Sequence, residues 1–154
     1  MEKLFWSIAF PGFGQLLNGQ ILKGIVLMAL EFLVNVKSHF NEAIFLSFHG
    51  EIHSAIEVTD YQWLMFYPCL YFFAMWDAYR IDRQETSPFL FLPFAFSAFF
   101  VTVGLIYSNT FKVSGILLGP VWLPILCVLP GVVIGWLIKI ICTRLFTLNT
   151  KQME

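Results

Sequence analysis

Few residues in this chain carry chemistry, and they fall in three places. The first is Glu31, in the otherwise apolar run Leu27-Met28-Ala29-Leu30-Glu31-Phe32-Leu33. If that run crosses a bilayer, a charged carboxylate there costs about 2.5 to 3.5 kcal/mol, so it must face a bundle interior or be protonated. Two roles are open to it. One is contact with an ion, proton or substrate; the other is a neutral acid hydrogen-bonded to a neighbouring helix through Tyr67, Tyr71 or Ser97. No second charge inside an apolar run continues a relay, which favours the structural role.

The second place is His49, His53 and Glu57, at i, i+4 and i+8. On one continuous helix they share a face, and two histidines at that spacing with a carboxylate can hold a metal. His49-Gly50-Glu51-Ile52-His53 is not the His-Glu-x-x-His of zinc proteases, and closed metal sites want four ligands. A solvated helix face is therefore preferred, with His49, His53 and Glu57 as minor metal candidates and no cofactor expected.

The third place is the segment Phe10-Pro11-Gly12-Phe13-Gly14-Gln15, continued by Asn18-Gly19-Gln20 and Lys23-Gly24. Its glycines allow tight turns or close helix approach, while Gln15, Asn18 and Gln20 can satisfy backbone groups freed by a broken helix. A substrate or lipid-headgroup site at the turn is the other option. A phosphate loop is not, because the Gly-x4-Gly-Lys-Ser/Thr spacing is missing. Asp77, three residues before Arg80, has two prospective partners: Arg80 at i,i+3, and Lys23 at the same depth. A Lys23–Asp77 contact would hold the broken segment against the helix that carries Asp77.

The elements that position these residues follow from composition. The chain has 154 residues, 58% hydrophobic and 12% charged, against about 25% charged in an ordinary soluble domain. So few charges cannot cover a water-facing surface, and lipid must solvate much of the exterior. A net charge of -1 excludes a basic nucleic-acid surface, since phosphate neutralisation needs clustered Lys and Arg. Cys69, Cys127 and Cys142 all lie in apolar runs, without the spacing of a disulfide framework or zinc site. No small-x-small cleavage site follows the apolar start, so that start reads as retained.

A crossing needs about 20 mainly apolar residues. We expect an all-α membrane protein forming one integral domain over 1–154: a half-helix at 4–17, broken or re-entrant, and four spans at about 21–36, 61–79, 88–107 and 115–138. The outer connection, 37–60, carries Phe40, Ile44, Phe48, Ile52 and Ile56 at four-residue intervals. That stripe predicts an amphipathic helix lying on the outer surface or capping the bundle, weakened at Gly50. Lys3, Lys23, Arg80, Arg83, Lys139, Arg144 and Lys151 flank one side of the spans, and Lys37 alone against Glu42, Glu51, Glu57 and Asp60 the other. The positive-inside rule then places both termini in the cytoplasm. Gly115-x3-Gly119 and Gly131-x3-Gly135 predict close packing within the monomer, with kinks from Pro120, Pro124 and Pro130.

The Pro-Gly-x-Gly-Gln…Asn-Gly-Gln…Lys-Gly pattern of Pro11 to Gly24 resembles small prokaryotic multi-pass membrane proteins distantly like the two-transmembrane-helix domain family. The resemblance covers roughly Ile8 to Arg83. It implies a Gly-rich first helix and a second helix ending in an Asp, with Trp76-Asp77-Ala78-Tyr79 as its counterpart here. It also favours a bacterial plasma membrane and implies no catalytic activity. No nucleophile–base pair is recognisable either. The expected function is therefore association, as a small subunit, scaffold or regulator of a membrane assembly, with a membrane-protein partner or a homo-oligomer in the lipid bilayer. The alternative is a small transporter or channel component using Glu31 and the N-terminal turn.

Overall fold

The computed structural model describes residues 2–83 and 89–151. Pro88, where the third span was expected to begin, lies outside the described residues, as do the side chains of Arg83 and Lys151. The fold is all-α apart from one short hairpin: α1 (Glu2–Ala9), α2 (Phe13–Leu17), α3 (Ile21–Ser38), α4 (Phe40–Phe48), α5 (Ile52–Val58), α6 (Tyr61–Leu64), α7 (Tyr67–Arg83), α8 (Leu92–Tyr107), β1 (Lys112–Val113), β2 (Ile116–Leu117) and α9 (Gly119–Lys151).

Each departure from the expected elements has a local cause. The N-terminal half-helix is two helices, because the chain turns at Pro11-Gly12 and Gly12 has φ 106°, a left-handed backbone that side chains disfavour. The helix expected over 61–79 is divided near 65–66. Pro68 has no N–H to bond back to Leu64, so it suits the opening turn of α7 and not the interior of a longer helix. Asp60 starts α6 as an N-cap, its Oδ1 accepting from the Gln62 and Trp63 amides at 2.9 and 3.3 Å. The outer amphipathic helix is likewise broken, at Gly50 with φ 81°, into α4 and α5.

The last helix begins at Gly119, not Gly115. Ser114 and Gly115 both have positive φ and close a two-residue hairpin with Val113 opposite Ile116, the geometry that matches strand twist. Gly115 is thus a turn residue, and Gly115-x3-Gly119 is not a helix-packing pair. At the other end α9 runs past Ile138 to Lys151, since residues 139–151 contain neither Gly nor Pro to stop it. Its 33 residues reach about 50 Å at 1.5 Å per residue.

Among the described residues, one helix qualifies by length and apolar composition as a membrane crossing, α9 over Gly119–Leu148. Helix α8 is apolar but has 16 residues; α3 has 18 but carries Lys23, Glu31 and Lys37.

Helices α8 and α9 form the most intimate pair in the fold. A Cβ on Gly131 would stand 2.6 Å from Ser97 Cα, and one on Gly135 2.6 Å from Pro93 Cα. Backbone meets backbone at both levels, which only residues without a side chain permit. Helix α7 packs on α8, and α1, α2 and α3 pack on α7. The outer pair α4 and α5 caps the start of α9: the Phe48 ring lies 4.7 Å from that of Trp122, whose Nε1 donates to Ser47 O at 3.2 Å.

Polar side chains are buried alongside the apolar core, and many large apolar side chains face outward. Ser7, Gln15, Ser38, Ser97 and Ser108 are buried, with Glu31 and Asp77 nearly so, while Leu22, Phe32 and Leu129 are 79%, 68% and 68% exposed. Small and polar groups sit between the helices together with Leu27, Leu64, Phe72 and Leu105, and many of the outward-facing side chains are Leu, Ile, Val and Phe.

Candidate functional site

The polar residues of the N-terminal motif converge on Asp77. Helix α2 is five residues long and is held in a notch between α1, α3 and α7. Gly12 passes so near α3 that a Cβ would lie 2.6 Å from both Gly24 O and Met28 Cγ; a Cβ on Gly14 would lie 2.8 Å from that of Ala78. This closeness lets Gln15, fully buried, reach across. Its Nε2 donates to Ala74 O at 2.8 Å and to Asp77 Oδ2 at 3.1 Å. Lys23, from the first turn of α3, brings Nζ to 2.9 Å from Asp77 Oδ1. Asn18 Nδ2 donates to Ala78 O at 3.3 Å.

Of the two partners considered for Asp77, Lys23 is the one it meets. Arg80 lies instead over the Trp76 ring, 5.6 Å from its centroid. Gln20 makes no side-chain contact with Asp77; it leads into α3, its backbone N–H donating to Gln15 O at 2.9 Å. Four buried oxygens here, Ser7 Oγ, Gln15 Oε1, Asn18 Oδ1 and Gln20 Oε1, have no hydrogen-bond partner among the described residues. The arrangement is a charge-assisted clamp between a broken helix and α7. It brings no nucleophile beside a base.

Glu31 is 5% exposed, one face of α3 from this clamp. Of its three expected partners Tyr67 alone approaches, with its hydroxyl at 3.5 Å from Oε1, the long edge of the hydrogen-bonding range. Ser97 donates instead to Pro93 O at 2.7 Å. Tyr71 stacks on Tyr67 with centroids 5.5 Å apart, and its hydroxyl donates to Ile8 O at the end of α1. That carbonyl is one of those a helix end leaves without an internal partner. Tyr71 therefore ties the first half-helix to α7, a role its sequence position gave no sign of.

The histidine face expected on the outer connection does not form. The break at Gly50 puts His49 on α4's end and His53 and Glu57 on α5, out of helical register. His49 Nδ1 lies 2.8 Å from Phe45 O. Among the described residues no group of three or more His, Cys, Asp or Glu is placed to hold a metal ion.

Two of the grooves on the surface are formed by packed helices. One, of about 720 Å³, runs between α7 and α8. Cys69, Phe72, Phe73 and Trp76 form its α7 wall; Phe91, Phe94, Ala95, Ala98, Phe99 and Thr102 form the other. It exists because α8 is drawn onto the glycines of α9 and because Ala95 and Ala98 leave the α7-facing side thin. The second, of about 340 Å³, lies at the outer end beneath α4, walled by Phe40, Ile44, Phe48, Tyr67 and Tyr71 among others. Neither groove is lined by Glu31 or by the Gln15–Gln20 turn. Both walls of the larger groove follow helical spacing, i, i+3, i+4, i+7, so its face was readable in the sequence once aromatic positions were sorted by period.

Comparison with family models, curated proteins and solved structures finds no match to this chain.

Proposed function

We propose that this chain is a polytopic membrane protein that works by association, as a small non-enzymatic subunit, scaffold or regulator of a membrane assembly. In this reading α3, α6 with α7, α8, and α9 are four crossings, and both termini are cytoplasmic. The many exposed Leu, Ile, Val and Phe side chains support the membrane part, because an apolar exterior of that extent suits lipid as solvent.

Charge supports the orientation. The end of the bundle where Lys23 meets Asp77 also holds Arg80, and α9 carries Lys139 and Arg144 past Gly135, which packs on the start of α8. The end capped by α4 and α5 carries Glu42, Glu51, Glu57 and Asp60. Positive charge concentrated at one end marks the cytoplasmic side. In the same reading, the motif from Pro11 to Gly24 with Asp77 is a two-helix unit of the kind the sequence resembles, its two helices α3 and α7.

One observation carries the preference for association over transport. The donors of Gln15, Asn18 and Lys23 close on the chain itself, on Asp77 and the Ala78 carbonyl, whereas the two grooves described above have mainly apolar walls. Helix α9 adds to this, since only 11% of its most apolar stretch is buried within the chain.

The test is purification of the natively expressed, tagged chain in mild detergent, with mass spectrometry of what accompanies it and crosslinking from Leu129→Cys on α9's open face. A stoichiometric membrane partner crosslinked through that face is the expected result. A lone, uncrosslinked chain that moves ions or solutes in liposomes, and loses that activity with Glu31→Gln, would instead establish the transport reading.

A further inference from the structure

The α7–α8 groove joins an apolar channel to an exposed cation, Arg80. Its wall on α8 spans Phe91 to Thr102, about 16 Å at 1.5 Å per residue. Of its few polar groups, Thr102 Oγ1 already donates to Ala98 O at 2.8 Å. Along α7 the groove ends at Trp76, and one turn further on Arg80 lies with its guanidinium 5.6 Å from the Trp76 ring centroid. Asp77, one turn before Arg80 on α7, is engaged by Lys23 and Gln15, and Arg80 makes no ion pair among the described residues.

We propose that this groove is a binding site for one anionic phospholipid, an acyl chain lying between α7 and α8 and the phosphate on Arg80. The apolar walls and the mouth cation match the two halves of such a lipid. A guanidinium held over an aromatic ring is pre-organised for a phosphate and keeps its donors free to fork onto two oxygens. Basic groups between helices on the cytoplasmic side are suited to anionic headgroups. A partner helix would fill the walls but leave the guanidinium unanswered. The inference rests on the membrane reading above, since it needs α7 and α8 in the bilayer with Arg80 at headgroup depth.

The full chain is reconstituted in nanodiscs of equal phosphatidylglycerol and phosphatidylcholine with identical acyl chains, then released for native mass spectrometry. One phosphatidylglycerol is expected to remain bound in preference to phosphatidylcholine. Arg80→Gln should lower that retention about tenfold, the scale of one charge-assisted hydrogen bond. Ala98→Trp should abolish it by filling the groove, with Ala95→Leu replacing it if the Trp variant does not fold. Equal retention of both lipids, or retention indifferent to Arg80→Gln or to the groove-filling variant, overturns the proposal. Alkaline carbonate extraction of the expressed chain separates the two levels. A chain that stays in the membrane but holds no phosphatidylglycerol refutes the lipid site alone; a chain released by carbonate refutes the membrane reading and the lipid site together.

Discussion

Removing Lys23 should harm this protein more than neutralising Asp77. The ion pair between them is 2.9 Å long, but its two sides are unequally placed: the Lys23 side chain is 41% exposed and that of Asp77 only 9%. Lys23→Met leaves a nearly buried carboxylate with Gln15 as its remaining side-chain donor. An uncompensated buried charge costs about 3 to 5 kcal/mol, which falls to roughly 2 to 3 here because Gln15 still donates and the site borders the exposed side of Lys23. Asp77→Asn keeps the size of the side chain and an oxygen for Gln15. It frees an ammonium already partly exposed, so it should cost only about 1 kcal/mol. In the double variant neither charge is stranded, and the loss should be smaller than the sum by about 1 to 2 kcal/mol. The assay is reversible unfolding in mixed micelles, followed by tryptophan fluorescence. Equal costs for the two single variants, or strict additivity in the double, would refute the reasoning.

Other outcomes follow from the packing. Gly135→Ala and Gly131→Ala each drive a methyl into α8 backbone at 2.6 Å, so each should destabilise by about 1 to 3 kcal/mol. Gly19→Ala meets nothing within 4 Å and has only its φ of 78° to object, which limits the loss to about 1 to 2 kcal/mol; thermal unfolding of the three variants would rank them. Ser7→Ala removes a fully buried hydroxyl that has no partner among the described residues. It should therefore be neutral or stabilising by up to about 1 kcal/mol, and a clear destabilisation would show that the hydroxyl is engaged. The proposed topology, with both termini cytoplasmic, predicts that Thr110→Cys reacts with an impermeant maleimide on intact cells and Thr147→Cys only after permeabilisation. The reverse pattern would invert the topology.

Much of the helical content and its apolar faces were legible because hydrophobic periodicity is a local property. The helix from Ile21, the apolar stripe of Phe40 to Ile56 and the candidate contact between Lys23 and Asp77 all follow from spacing. The errors came where backbone chemistry overrides apolar continuity. An unbroken apolar run reads as one helix, yet Pro68 and the Ser114-Gly115 turn interrupted two of the expected spans. Gly50 was weighed as a propensity penalty, when its positive φ ended a helix outright and took the histidine face with it.

Which polar groups meet was settled by tertiary structure. That Asp77 chooses Lys23 and Gln15 over Arg80 depends on α2 lying in its notch, a contact spanning 62 residues of sequence. That Tyr71 caps Ile8 and leaves Glu31 to Tyr67 depends on how α1 lies on α7. The groove between α7 and α8 exists because the glycines of α9 draw α8 away. Periodicity and composition are carried by neighbouring residues and so are written along the chain. Partner choice and cavities depend on the distances between elements, which are set only when all the helices pack at once.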